Sequence, residues 1–306
     1  MAPRFPVRRV VVLVALQLVA LGALAAYWHG HARGDEPVNA SAATTPAATT
    51  HGFDAERAMA TVRLQLAAGQ RPAGSPQLRR MAEKLKALLP HGTFEDVPDH
   101  PGLRNVVGSL PGTEPAIVLG AHYDTEYHPK GFVGANDAAA AVGAVIEIAR
   151  DLQHTPRPAG APAIRFVLFD GEEEPFQTND FYRDALRGSK AYAAAHASTT
   201  RAMVLLDYIG NRGARFPREG SSDASLWTAV RASARRAGVG AVFPASTEAT
   251  IYDDHTPFLR GGVPAVDVID WGYRYKDGLQ DTYDKLTVSA VDAVGETMVD
   301  LLRRWR

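Results

Sequence analysis

The stretch IRFVLFDGEEEP, residues 164–175, changes character halfway along. Residues 164–169 are apolar except for Arg165, and such a near-continuous run reads as a strand covered on both faces. Asp170 and Gly171 close it, and Glu172, Glu173 and Glu174 follow directly. Like charges packed that closely repel, and each carboxylate removed from water costs several kcal/mol unless it is paired. Taken alone, an acidic triplet at the end of a strand reads as a solvated turn. Whether this one is more depends on what the rest of the chain brings beside it.

Further short apolar runs occupy residues 105–107, 116–121, 203–206 and 265–269. Helical periodicity separates most of them, over 137–152, 188–197, 223–237 and 288–304. Two amphipathic segments, 53–69 and 75–90, precede them all. Apolar strands alternating with helices imply an α/β fold: a mixed, mainly parallel central sheet with helices on both faces. In such sheets ligands bind beyond the carboxyl ends of the strands. The run 116–121 is followed by His122, Tyr123 and Asp124; 164–169 by the acids already quoted; 203–206 by Asp207. The loop GANDAAA sets Asp137 at the start of a helix, where it could equally serve as an N-cap. Four segments distant in sequence thus deliver an acid or a histidine to one edge, which a bound cation explains better than four unrelated turns. No GxSxG elbow, GxxxxGK[ST] loop or HExxH helix competes, and GSLPG at 108–112 is a turn with no helix after it.

Composition agrees with one large globular domain. Of 306 residues, 46% are hydrophobic and 22% charged, and the formal net charge of -1 offers no footprint for nucleic acid. There is no cysteine, so any metal must be held by His, Asp and Glu. The N-terminus is different. Arg4, Arg8 and Arg9 precede an apolar run from 10 to 28, which predicts an exported protein. We expect residues 1–28 to be an uncleaved membrane anchor with the catalytic domain on the extracytoplasmic, periplasmic side. A cleaved signal peptide, with cleavage after Ala25 and a secreted product, is the alternative. Residues 29–50, rich in Ala, Thr and Pro, read as a flexible linker, leaving 51–306 as the catalytic domain.

His-x-Asp at 122–124, Asp137 in its small-residue loop, Glu172-Glu173 after a strand, Asp207 after the next, and DDHTPFLRGGVP at 253–264 form an ordered set. Together they resemble the zinc aminopeptidase and glutaminyl cyclase superfamily, metallopeptidase family twenty-eight, over residues 51–306. The resemblance implies a zinc exopeptidase type of fold. It makes Glu172 the general acid/base and Glu173 a zinc ligand, with Asp137 a ligand that bridges in two-zinc members. It makes His122 the first-metal histidine of those members and Asp124 the acid that orients it. Asp207 binds zinc in the aminopeptidases but stays off the metal in the cyclases. Asp253 stands where aminopeptidases typically carry serine, which brings the chain closest to the glutaminyl-peptide cyclotransferases; there it would join Asp207 around the substrate amine, with His255 behind. In purely local terms Thr256 as the N-cap and Pro257 in the first turn explain the same segment as a helix start. One position departs from the pattern: counting back from DTYDKLT at 281–287 puts Asp277, after Lys276, where the family carries its last zinc-binding histidine. Asp can bind zinc, so Asp137, Glu173 and Asp277 would make a harder, more anionic site.

What the resemblance implies is a monomeric, zinc-dependent enzyme acting on peptide or protein N-termini, with one zinc and room for two. Cyclisation of N-terminal glutamine to pyroglutamate is the first expectation and aminopeptidase hydrolysis the alternative. A binding domain that has lost its metal and its activity is the third.

Overall fold

The computed structural model describes residues 52–176 and 180–306, and its spine is a six-stranded sheet. The strands are β1 (Thr93–Asp96), β2 (Arg104–Leu110), β3 (Thr113–His122), β4 (Pro162–Phe169), β5 (Thr200–Asp207) and β6 (Ala265–Ile269). Their spatial order is β1-β2-β4-β3-β5-β6. β4, β3, β5 and β6 run parallel, while β1 and β2 extend the sheet antiparallel on the β4 side. This is the mixed, mainly parallel sheet expected from the sequence. The expected membrane segment and the linker lie outside the described residues. Among the described residues no helix is long and apolar enough to cross a membrane.

The helices are α1 (Ala55–Leu66), α2 (Pro76–Leu88), α3 (Ala140–His154), α4 (Phe181–Asp184), α5 (Arg187–His196), α6 (Ala224–Arg236), α7 (Thr256–Arg260) and α8 (Val288–Arg304). Side chains alternate across a strand, and the sheet uses both sides. Ile164, Phe166 and Leu168 of β4 join Ile117, Leu119, Val204 and Val266 in the larger core, with apolar residues of α1, α2, α3, α6 and α8. Val167 and Phe169 point the other way, into a smaller cluster with Val118, Met203, Tyr192 of α5 and Phe258 of α7. Burying each such side chain contributes roughly 1.5–3 kcal/mol, so β4 is held from both faces. Several helices begin where the sequence supplies a cap. Ser75 Oγ accepts from Leu78 N at 3.1 Å, with Pro76 in the first turn, and Asp223 Oδ1 accepts from Leu226 N at 2.7 Å.

Three local expectations are corrected. β1 is an additional strand: four residues at the sheet edge, reading TFED with no buried face, so it has no apolar run to announce it. The helix expected from Asp137 begins at Ala140, and Asp137 does not cap it. Residues Ala135–Ala139 form a separate turn in which Asp137 sits at φ -108, ψ 89, because the Asp281 carboxylate holds the backbone N–H groups of both Asn136 and Asp137. Thr256 likewise lies inside α7, its hydroxyl accepting from Asp253 N at 3.2 Å.

The chain passes from β3 to β4 on one side of β3 and then to β5 on the other. The connections therefore reverse about β3, and the crevice at that switch point is where ligands bind in open α/β sheets. His122 is the last residue of β3.

Candidate metal centre

A cavity of about 400 Å³ opens at this edge, and nine ionisable acid or histidine side chains reach it. β3 brings His122, the turn before α3 brings Asp137, the loop after β4 brings Glu172 and Glu173, β5 brings Asp207, and the loops around β6 bring Asp253 and Asp277. All seven were expected from the sequence; Glu126 and Glu174 complete the set. Asp170 turns away, accepting from Arg104 N at 2.9 Å and from the Tyr123 hydroxyl at 3.2 Å.

Two trios place one donor atom from each residue within 4.8 Å of one another: His122 with Asp137 and Asp207, and His122 with Glu172 and Glu173. His122 Nε2 is 3.1 Å from Asp137 Oδ1 and 3.7 Å from Asp207 Oδ1. Ligands about 2.0–2.2 Å from a tetrahedral zinc stand about 3.3 Å from each other, so the first trio has the spacing and the N/O chemistry that a divalent cation requires. Glu173 points the same way: it is 5% exposed, and its Oε1 has no hydrogen-bond partner. Asp277 belongs to neither trio. It stands across Tyr208, whose hydroxyl lies 3.2 Å from both Asp137 Oδ2 and Asp277 Oδ1, so one proton serves two carboxylates.

Burial dominates the electrostatics. It raises the Glu172 carboxyl well above the ordinary glutamate range, opposed by His122 and reinforced by Asp253 and Asp254. Burial, then Asp137 and Glu172, raise Glu173 in the same direction. Asp207 is pushed up to about 7 by burial. For His122 burial works against the charged form, but Asp124, Asp137 and Asp207 outweigh it and raise its pKa well above normal. The carboxylates that favour a proton on His122 equally favour a divalent cation beside it.

Residues 105–302 match the family described as Peptidase family M28. The chain belongs to that family. Among curated relatives, the glutaminyl-peptide cyclotransferase of Bothrops jararaca is 28% identical over 234 residues, covering 63% of this chain and 63% of its own. This M28 chain therefore spans a little under two thirds of the length of these curated cyclotransferases. Among solved structures, Porphyromonas gingivalis glutaminyl cyclase superposes with a TM-score of 0.73 at 27% identity, covering 83% of this chain and 99% of that one. A leucine aminopeptidase precursor from Bacteroides thetaiotaomicron gives 0.73 at 26%, covering 86% and 99%.

The surroundings of the M28 centre are set by Asp124 and His255, expected from the sequence, and by Gly134, Arg71, Glu126 and Tyr208, which were not. Asp124 faces His122 Nδ1 at 3.6 Å, too long for a hydrogen bond; its oxygens accept instead from Glu172 N at 3.2 Å and Glu173 N at 3.3 Å, fixing the acidic loop. Gly134 precedes the Asp137 turn at φ +58, and a Cβ there would come 2.0 Å from Asp137 O, so only glycine fits. Arg71, fully buried, donates to Val133 O at 2.7 Å and sets a positive charge beneath Asp137, Asp124 and Asp281; burial lowers its pKa to about 10. His255 lies behind the cavity, not in it: Nε2 is 2.9 Å from Ser221 Oγ and 3.2 Å from Glu219 Oε2, and Nδ1 is 3.9 Å from Asp267. Glu126, four residues after His122, could have been found as a further acid on the loop that β3 delivers; burial and then Asp137 push it up to about 7. Tyr208 is adjacent to Asp207 and had the same positional signal.

Proposed function

We propose that this chain is an extracytoplasmic, zinc-dependent enzyme that cyclises N-terminal glutamine of peptides to pyroglutamate, releasing ammonia. The observation that carries the reading is the wall of three buried acids, Glu172, Asp207 and Asp253, in a cavity with no Lys or Arg among its described lining residues. Such a wall suits an α-amine and repels a C-terminal carboxylate. Relatives named as glutaminyl-peptide cyclotransferases and the Asp253-Asp254 pair support it. Export rests on residues 1–28 alone. A mature chain that sediments with membranes and resists carbonate extraction is the expected result.

Zinc held by Asp137 and Glu173 with His122, Asp207 or Asp277 would supply a Lewis acid toward the substrate's side-chain carbonyl. The protein's own residues do the rest. Asp207 and Asp253 hold the α-amine near the side-chain amide carbon, and the amine nitrogen attacks that carbon to close the lactam ring. Glu172 accepts the proton lost by the amine and returns it to the amide nitrogen, which leaves as ammonia when its bond to carbon breaks. Because the nucleophile and the carbonyl share one molecule, positioning supplies much of the rate. Phe181, Tyr252 and Trp271 line the same cavity and offer apolar surface to the rest of the peptide.

The His122–Asp137–Asp207 spacing specifically favours a second reading, an aminopeptidase in which Glu172 activates water instead of the amine. The two are separated by offering glutaminyl peptides and aminoacyl anilides to the same metal-loaded protein. Cyclisation predicts ammonia and a blocked peptide from the first and little turnover of the second. Release of free amino acid from both would replace the cyclase reading with the aminopeptidase.

A further inference from the structure

The floor and the mouth of the cavity carry opposite charge. Glu172 and Asp253 are nearly fully buried, whereas Tyr252 and Trp271, which line the same cavity, are 52% and 39% exposed and so stand at its mouth. Each of these two rings has a cation beside it. Lys276 Nζ lies 3.5 Å from the centroid of the Trp271 ring and donates to Trp271 O at 2.9 Å. Arg260, the last residue of α7, places its Cζ 3.5 Å from the ring centroid of Tyr182 and 5.6 Å from that of Tyr252. The two tyrosine rings are 5.4 Å apart.

Cations stack on rings in many places on a protein. Lys86, Arg104 and Lys285 do so here, and each also pairs with a carboxylate, Glu83 for the first two and Asp284 for the third. Arg260 and Lys276 differ. Among the described residues neither has a carboxylate within ion-pair distance, and the Arg260 guanidinium makes no hydrogen bond. Stacking occupies the face of a guanidinium and leaves its edge, with its N–H groups, open to a carboxylate that can bind two of them at once. Lys276 uses one of its three N–H donors on Trp271 O and keeps two. The rings hold both cations in place, so less freedom is lost when an anion binds.

A peptide whose α-amine sits among Glu172, Asp207 and Asp253 leaves through the mouth, and an extended chain advances about 3.3–3.6 Å per residue. Its second and third residues are therefore the first to clear the floor. Charge on the floor opposes a substrate carboxylate. That repulsion falls with distance and is screened beyond about 8–10 Å at physiological salt, so the cations in contact decide the sign.

We propose that Arg260 and Lys276 form a carboxylate-binding rim, and that the preferred substrates carry aspartate or glutamate as the second or third residue. The inference rests on the reading that a peptide N-terminus enters this cavity, not on which reaction follows.

The test is isothermal titration of the full-length, zinc-loaded Glu172→Gln protein, which removes turnover, with amidated tetrapeptides that begin in glutamine. They carry Glu, Gln or Lys at position two or three. In at least one of the two positions the Glu peptide is expected to bind about 3–5-fold tighter than the Gln peptide at low salt, the upper range for an exposed ion pair. The Lys peptide should be weakest, and the differences should vanish near ~1 M salt, where the screening length is about 3 Å. Adding Arg260→Gln or Lys276→Gln should each reduce the preference and leave the Gln peptide's affinity unchanged, while Arg260→Lys keeps part of it. A merely structural role would weaken all three peptides alike. Equal binding of the Glu and Gln peptides at both positions overturns the rim, and leaves the N-terminal reading standing where N-acetylation still abolishes binding. Binding that N-acetylation does not weaken overturns the N-terminal reading and the rim with it, as does failure of every peptide to bind.

Discussion

Glu172 and Glu173 are adjacent, both buried, and distinguished only by what lies around them. Asp137 and Glu126 are among the charges that act on Glu173, whereas His122, Asp253 and Asp254 act on Glu172, and in the proposed reading Glu173 would hold the cation and Glu172 would meet the amine. Glu172→Gln is therefore expected to lower turnover by ~10²–10⁴-fold, the usual contribution of one general acid/base, with bound metal unchanged by elemental analysis. Metal loss in that variant would mean the two roles are exchanged. The pair was legible in the sequence because Glu-Glu after an apolar strand is a pattern with a position attached to it. Glu126 and Tyr208 were not, since a single acid or hydroxyl in a loop gives no sign of which way it turns. Asp277 was legible as a departure from the family pattern, but its relation to Asp137 through the Tyr208 hydroxyl exists only in three dimensions.

At the scale of elements, the centre depends on the turn Ala135–Ala139, which carries Asp137 and is neither helix nor strand. The sequence read it as the first turn of α3, because GANDAAA looks like any capped helix start. The Asp281 carboxylate, 144 residues away, decides otherwise by accepting from Asn136 N and Asp137 N, and Tyr273 Oη donates to it at 2.7 Å. Such a long-range contact leaves no periodic trace. Asp281→Ala is expected to free the turn, leave two buried N–H groups unpaired and cost about 1–3 kcal/mol of stability for each. It should also weaken metal binding by ~10–100-fold, as loss of a ligand's supporting partner does; isothermal titration with zinc measures the second effect and thermal unfolding the first. The apolar strands and their helices were legible throughout, since each shows its own period. β1 was not, since it is short, lies at the edge and has no buried face.

Over the whole molecule, buried carboxyls dominate the dependence of stability on pH. Burial raises Asp170 and Asp207 to about 7 and Asp281 to about 6, against about 4 in an unfolded chain. In that window the folded chain binds more protons than the unfolded one, so this stabilisation is full below about pH 4 and is lost as pH rises through about 7. Glu219 runs the opposite way. Held near 2 by His255 and backbone donors despite burial, it contributes stability that is lost as pH falls from about 4 toward 2. Thermal unfolding of the chelator-treated protein should therefore show a lower midpoint at pH 8 than at pH 5, and added zinc should recover most of the loss at pH 8. A midpoint that is flat or rises across that range would mean these acids are not buried as described. Whether separate elements of the sheet edge build one metal centre can be read from a zinc-edge anomalous difference map of crystals grown with zinc. A peak is expected about 2.0–2.2 Å from donor atoms of Asp137 and at least one of His122, Glu173 and Asp207. A well-ordered cavity with no anomalous peak, in crystals where zinc is bound elsewhere, would contradict it.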